Sequence, residues 1–84
     1  MWNLHISALA ADNPGVEMFP PAPGHGFLHP RALPLLGIPL GELWDLDALA
    51  EHCAADGTYD AFFTSAPLHV RGGVGSPPNA IAVR

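Results

Sequence analysis

Two loops rich in proline and glycine divide this chain and leave only short segments for regular structure. The first runs from Phe19 to Pro30 and the second from Arg71 to Asn79. Proline lacks a backbone donor and glycine adopts conformations that other residues avoid, so neither loop is expected to form a helix or a strand. A loop as long as the first one, in a chain of 84 residues, is expected either to carry function or to wrap another surface.

The length and composition predict one small partial domain over residues 1–84, with marginal stability. Hydrophobic residues make up 49% of the chain and charged residues 13%, and lysine is absent. Soluble domains usually contain about 25% charged residues, so this composition resembles a protein core with too little polar surface around it. The net charge of −5 argues against nucleic acid and against an anionic membrane as partners.

The compartment is expected to be the cytoplasm. No apolar run approaches the roughly 18 residues of a membrane span. Residues 1–11 are apolar but carry none of the basic residues that begin a secretory signal. The single cysteine, Cys53, cannot form an internal disulfide, which favours a reducing compartment.

The N-terminal half is expected to contain a strand, a short helix and a second extended segment. Apolar residues alternate with polar ones from Trp2 to Ser7, the period of a half-buried strand, and this strand is predicted to end near the turn-forming residues 12–15. Pro30 can open a short helix over residues 31–36. Residues 38–43 are apolar except for one glutamate and are predicted to be extended.

The C-terminal half contains the clearest predicted element, a helix at about residues 46–55. Asp45 is a good N-cap and Gly57 a good C-terminal stop. One helical face collects apolar side chains: Leu46, Leu49, Ala50, Cys53 and Ala54. Strands are predicted over residues 59–66 and 79–84. The whole order predicts an α+β chain, or a fragment of an α/β-like fold.

Histidine is frequent enough to suggest a metal site, but most spacings do not support one. The five are His5, His25, His29, His52 and His69. There is no HExxH or CxxC pair, and the adjacent residues His52 and Cys53 point to different helix faces. His52 is expected on the solvated helix surface and Cys53 in the core. No Ser-His-Asp or Cys-His nucleophile arrangement can be argued, so the catalytic residues are unknown.

His29 and Glu42 are the strongest candidates for a functional pair. His29 lies at the end of the first loop, and Glu42 is the one carboxylate in the apolar stretch 35–43. Such a carboxylate costs several kcal/mol unless it is paired, protonated or bound to a metal. One interpretation is metal ligation by the two residues. The other places Glu42 at a strand edge, in solvent or bonded to a backbone N–H.

The order of segments resembles the cyclase family of metal-dependent hydrolases, which includes kynurenine formamidase and isatin hydrolase. The resemblance begins with DNPGVE at residues 12–17, His29, and LLGIPLGE at residues 35–42. It continues through four further segments: residues 46–49, 66–68, 72–77 and 79–83. It is closer to the longer cyclase branch than to kynurenine formamidase itself.

The resemblance implies part of a swivelling β/β/α-type fold and a hydrolase that opens small amides or lactams with water activated by Zn²⁺ or Mn²⁺. In the family, a histidine before the LL..GI segment and a glutamate after it are metal ligands. These positions match His29 and Glu42, and His25 is the alternative if the loop alignment shifts. The family's main metal motif, HxGTHxD, belongs to its N-terminal half and does not occur in this sequence.

The chain is therefore expected to be a C-terminal portion of such a hydrolase, inactive by itself. Its expected partner is the missing N-terminal half or a second copy of the chain. The alternative from another class is a non-catalytic oligomeric interaction module derived from the same fold. A small α+β domain with an accidental likeness to the family is the third interpretation.

Overall fold

A computed structural model describes all 84 residues as two compact units, Met1–Leu46 and Asp47–Arg84. Short helical segments and two small sheets make up a mixed α+β chain, which confirms the predicted fold class. None of the helices has the length and apolar character needed to cross a membrane. The expectation of one partial domain stays a prediction, and the two units are described in turn.

The first unit contains a short parallel strand pair. Strand β1 (Leu9–Ala10) pairs with strand β2 (Leu40–Gly41). The pairing continues past the end of β1, where the Ala11 N–H donates to the Gly41 carbonyl at 3.0 Å. Strand β2 lies inside the segment 38–43, which was predicted to be extended.

The strand predicted from residue 2 to the turn at residues 12–15 is present only near its end, as β1, and its first part is not a strand. Residues Trp2–Leu4 form a 3₁₀ turn, and His5 ends it in the left-handed conformation with φ 53°. The His5 N–H donates to the Trp2 carbonyl at 3.0 Å. A strand needs a hydrogen-bonded neighbour, and this segment has none, so its backbone groups are satisfied locally instead.

The predicted short helix is present as a widened turn, Arg31–Leu35. Its hydrogen bonds span five residues, since the Leu36 N–H donates to the Arg31 carbonyl at 3.2 Å. Pro34 lies inside this segment, and a proline ring in an ordinary α-helix clashes with the carbonyl four residues earlier. The wider turn relieves that clash, and Gly37 with φ 65° ends it as predicted.

The second unit begins with helix α1, Asp47–Asp56. It starts and ends within one residue of the predicted bounds. Gly57 stops it with φ 72° and donates its N–H to the Cys53 carbonyl at 2.9 Å. The predicted apolar face is only partly covered: Cys53 is buried and Leu49 half-buried, but Ala50 and Ala54 are exposed, as is His52 on the opposite side.

An antiparallel strand pair completes the second unit. Strand β3 (Phe62–Thr64) pairs with strand β4 (Ile81–Val83), with Phe62 opposite Val83. Both strands lie within the predicted segments but are shorter. Arg84, directly after β4, donates through Nη2 to both carboxylate oxygens of Asp56 at 2.9 and 2.8 Å. This ion pair ties the end of the strand to the end of α1.

The buried apolar core is very small. Only Ala32, Ile38 and Cys53 are buried, two in the first unit and one in the second. The large apolar side chains of the β3–β4 sheet are all more than half exposed: Phe62, Phe63, Ile81 and Val83. This agrees with a composition that contains more apolar residues than the chain itself can bury.

Candidate functional site

Two carboxylate side chains from separate parts of the first unit contact the imidazole ring of His29. Glu17 lies just before the first loop, His29 lies near the end of that loop, and Glu42 directly follows strand β2. The Nδ1 atom of His29 is hydrogen-bonded to Oε1 of Glu17. Its Nε2 atom lies 2.9 Å from Oε1 of Glu42. The predicted pair is therefore in contact, and a second carboxylate holds the other side of the imidazole ring.

Backbone donors fix the Glu17 carboxylate. The Leu28 N–H donates to Oε2 at 2.5 Å, and the His29 N–H donates to Oε1 at 3.3 Å. The hydrogen bond from Leu28, followed by that from the His29 ring, holds the pKa of Glu17 below its usual value, against the opposing effect of desolvation. Glu17 is therefore an ionised acceptor that anchors both the backbone and the ring of the same short segment.

The two carboxylates favour the protonated imidazole of His29. The hydrogen bond to Glu17 raises the pKa of His29 most, and the hydrogen bond to Glu42 adds to it, while partial desolvation acts in the opposite direction. The ring is about one-third exposed. It is thus held between two acceptors and still reaches solvent.

Close packing around Gly41 determines where Glu42 lies. The indole ring of Trp44 covers Gly41 so closely that a Cβ there would lie 2.5 Å from the indole Nε1. Backbone N–H groups tie the turn back to the segment after β1, from Leu43 to the Asn13 carbonyl at 3.3 Å and from Trp44 to the Ala11 carbonyl at 3.1 Å. Glu42 lies between Gly41 and these attachments, and its side chain meets His29 at the end of the first loop.

Turn chemistry places Glu17 on the other side of the histidine. The Asn13 side chain accepts a hydrogen bond from the Val16 N–H at 3.1 Å, within the turn predicted from the sequence. Val16 has φ 54°, so the chain reverses before Glu17. Farther along, the rings of Phe19 and Phe27 stack with centroids 6.0 Å apart, which closes the loop between Glu17 and His29.

These residues line an open pocket of about 440 Å³. His29, Glu17 and Glu42 form its polar part, and the rest is loop and aromatic surface: Pro14, Gly15, Phe19, Phe27 and Pro30. His25 does not line the pocket, and its exposed turn is closed by a backbone hydrogen bond to Ala22. The structure thus brings His29 and Glu42 together and leaves the alternative His25 apart.

Sequence reasoning assigned no role to Glu17. One signal was available, because Glu17 is the only carboxylate between Asp12 and Glu42. Glu17 and His29 are 12 residues apart and are separated by a loop rich in proline and glycine, so no helix or strand period could pair them. No group of three or more His, Cys, Asp or Glu side chains is arranged to hold a metal ion. Ligation by His29 and Glu42 stays a prediction.

Comparison with known proteins gives a strong similarity to a solved structure. No protein-family model and no curated protein matches the chain. A solved structure described as the crystal structure of a novel cyclase matches 93% of this chain at 45% sequence identity, with a TM-score of 0.76. The match covers 25% of that cyclase chain, so the present chain spans about a quarter of its length.

The match agrees with the resemblance found in the sequence, at the level of the family. Nearly the whole chain takes part in it, and both the sequence identity and the structural agreement are high. The mixed α+β arrangement described above therefore corresponds to a segment of a cyclase fold.

Proposed function

We propose that this chain supplies part of the metal site of a cyclase-like hydrolase that opens a small amide or lactam with metal-activated water. One observation carries the proposal. His29 and Glu42 are 13 residues apart in the sequence, yet they meet at one pocket in a chain that is similar to a solved cyclase. The narrower relation to kynurenine formamidase and isatin hydrolase rests on the sequence resemblance alone.

The donor atoms of the pair fit a divalent cation. Imidazole nitrogen and carboxylate oxygen are both ligands of Zn²⁺, and Mn²⁺ accepts the same types. The His29 Nε2 and Glu42 Oε1 atoms are 2.9 Å apart. Since zinc–ligand bonds measure about 2.0–2.2 Å, two atoms at this separation can bind one ion. Both atoms also face the open pocket rather than the interior.

Two protein ligands do not complete such a site. Catalytic zinc sites usually have three protein ligands and structural ones four. We therefore propose that the remaining ligands come from a polypeptide that carries the family's HxGTHxD segment. The match to only a quarter of a solved cyclase supports this partner. The exposed apolar side chains of the β3–β4 sheet support it too, because they resemble core residues without their cover.

A bound Zn²⁺ or Mn²⁺ would supply Lewis-acid activation of water and of the substrate carbonyl. His29 and Glu42 would hold the ion, which requires His29 to release the proton shared with Glu42. Phe19 and Phe27 form an apolar wall of the pocket beside the pair. The substrate bound there is a small amide or lactam whose carbonyl approaches the open side of the pocket.

Complementation tests this function. The purified 84-residue chain is mixed with a second polypeptide that carries an HxGTHxD segment from a cyclase, with Zn²⁺ or Mn²⁺ added. We expect metal-dependent hydrolysis of N-formylkynurenine or isatin only when both polypeptides are present, and its loss in His29→Ala and Glu42→Ala. Equal hydrolysis by the chain alone, unaffected by these two substitutions, would contradict the proposal.

The exposed apolar sheet also favours a second candidate, a non-catalytic module that uses this surface for oligomerisation. Phe62, Ile81 and Val83 lie on one face of the sheet and are all more than half exposed, and contiguous exposed apolar patches often mark interaction sites. Size-exclusion chromatography with light scattering and metal analysis separates the two functions. A stable oligomer without metal favours the module. Metal bound in a complex with the second polypeptide favours the hydrolase.

A further inference from the structure

We propose that Glu17 is the positioning residue of this site, which holds the Nδ1 side of His29 so that Nε2 faces the pocket beside Glu42. The use of that arrangement for metal binding rests on the proposed function, whereas the arrangement itself does not. Neither the sequence motifs nor the likeness to a solved cyclase assigned a role to Glu17. The assignment follows from the contacts of the two carboxylates that flank the ring.

The two carboxylates are held very differently. The Glu17 side chain is 14% exposed and accepts hydrogen bonds from the backbone N–H groups of Leu28 and His29. The Glu42 side chain is 41% exposed, and its only hydrogen bond is the one to His29. A carboxylate bonded at both oxygens and shielded from water stays in place, whereas one with a single exposed contact is free to exchange it.

This difference assigns a separate role to each carboxylate. Both oxygens of Glu17 are already occupied by donors, so Glu17 has little capacity left for another partner. Glu42 can give up its hydrogen bond to the ring at small cost. Glu17 therefore orients the ring and Glu42 acts beside its free nitrogen. Carboxylate–histidine pairs of this kind set the tautomer and the orientation of metal-binding histidines.

The arrangement requires a particular tautomer of His29. When the ring is neutral, its proton lies on Nδ1 and is donated to Glu17, and Glu42 gives up its hydrogen bond to the ring, which leaves the lone pair of Nε2 free. The Nδ1–H form is the less common one for an unrestrained histidine side chain. The fraction of neutral His29 in the Nδ1–H form therefore measures how strongly Glu17 orients the ring, and this measurement needs no metal.

Nuclear magnetic resonance on the 84-residue chain measures this population. Long-range proton–nitrogen spectra of the ¹⁵N-labelled chain are recorded at alkaline pH, where His29 is neutral. We expect mainly the Nδ1–H form in the wild type and a shift to the Nε2–H form in Glu17→Gln. The matched control is Glu51→Gln, which removes an exposed carboxylate on α1 and should change nothing at His29. Mainly Nε2–H in the wild type would overturn the proposal.

A zinc titration of the wild type and of each variant, mixed with the second polypeptide that carries the HxGTHxD segment, tests whether the arrangement serves metal binding. We expect Zn²⁺ to bind at His29 about 10–100-fold more weakly in Glu17→Gln, and also in Glu17→Asp. The aspartate keeps the charge, but its shorter side chain cannot reach Leu28 and the ring together. Wild-type affinity and tautomer in Glu17→Asp would show that charge alone suffices, which overturns the positioning role. Absence of zinc binding at His29 in the wild-type mixture would refute the proposed function, while the tautomer measurement on the 84-residue chain still decides the role of Glu17.

Discussion

The two compact units differ in what organises them. In the first unit, polar side chains satisfy one another: Glu17, His29 and Glu42 form a connected chain of hydrogen bonds around a pocket, and Ala32 and Ile38 are buried. In the second unit, only Cys53 is buried, and both faces of the β3–β4 sheet are exposed. The first unit thus has its own polar centre, whereas the second has regular elements with little packed against them.

This difference bears on the proposed partner of the chain. A hydrogen-bonded site held by loops and backbone donors needs few apolar contacts to keep its geometry. A two-stranded sheet is marginal by itself and is stabilised when further strands or helices cover it. We infer that the first unit contributes the chemical groups and the second contributes much of the surface for assembly.

The largest change in stability is expected when one apolar side chain in each unit is shortened to alanine. Ile38→Ala should lower the free energy of unfolding by about 2–5 kcal/mol, because it removes most of a buried side chain. Leu49→Ala on α1 should cost less than Ile38→Ala, because Leu49 is only half-buried. Urea unfolding followed by circular dichroism measures both. An equal or larger loss in Leu49→Ala would mean that the second unit has the more important core.

The next largest change in stability is expected at the close contact between Gly41 and the indole ring of Trp44. Gly41→Val should destabilise the first unit by about 1–3 kcal/mol, because the new side chain overlaps the indole ring. Gly75→Val is the matched control, since it meets nothing within 4 Å and adopts no left-handed conformation. Urea unfolding monitored by tryptophan fluorescence compares them. Equal stability of the two variants would remove the packing argument for the position of Glu42.

A smaller effect, dependent on pH, is expected from the ion pair in the second unit. The Thr58 N–H, and then the Arg84 guanidinium, hold the pKa of Asp56 below its ordinary value of 3.8. A carboxyl with a lowered pKa in the folded state stabilises the fold above its ordinary pKa, and this contribution is lost as the pH falls below that value. Asp56→Asn should therefore be less stable than the wild type near neutral pH, with the difference shrinking below about pH 4.

Thermal unfolding of the wild type and Asp56→Asn at several pH values measures this difference. Asp60→Asn is the control, because it removes a neighbouring charge without removing a hydrogen bond to Thr58 or Arg84. A stability difference that stays constant down to the lowest pH would mean that the ionised carboxylate is not the source of the effect.

The smallest effect on folding is expected on the exposed face of the β3–β4 sheet. Phe62 and Ile81 share one face in the observed register. The double substitution Phe62→Thr/Ile81→Thr should change the free energy of unfolding by less than about 0.5 kcal/mol, because both side chains are already exposed. It should also reduce self-association and the binding of a hydrophobic dye. Val74→Thr, a change in an exposed loop, should do neither.

Light scattering and dye fluorescence provide the readout for that double variant. A large loss of stability in the chain alone would show that the face packs against something within the same molecule. Undiminished self-association would place the assembly surface elsewhere. Either result would contradict the inference that the β3–β4 sheet of the second unit is an uncovered surface for assembly.

Local signals in the sequence predicted the elements well where neighbours in the chain determine them. Helix α1 and its stop at Gly57 depend on spacing and on backbone conformation over a few residues, and both were predicted to within one residue. The same local rules failed at residues 2–6. The alternation there has the period of a strand, but a strand forms only where a distant segment supplies hydrogen bonds, and alternation carries no information about that segment.

By itself, the sequence determined the mixed α+β class, the two long loops, the helix and the two residues that form the candidate pair. These follow from residue types and short-range spacing, or from the order of motifs along the chain. Only the tertiary structure decided that Glu17 joins His29 and Glu42, that His25 lies apart, and that the β3–β4 sheet is uncovered on both faces. The physical reason is that a hydrogen bond between side chains 12 residues apart depends on how loops return to the strands, and no local period encodes that path.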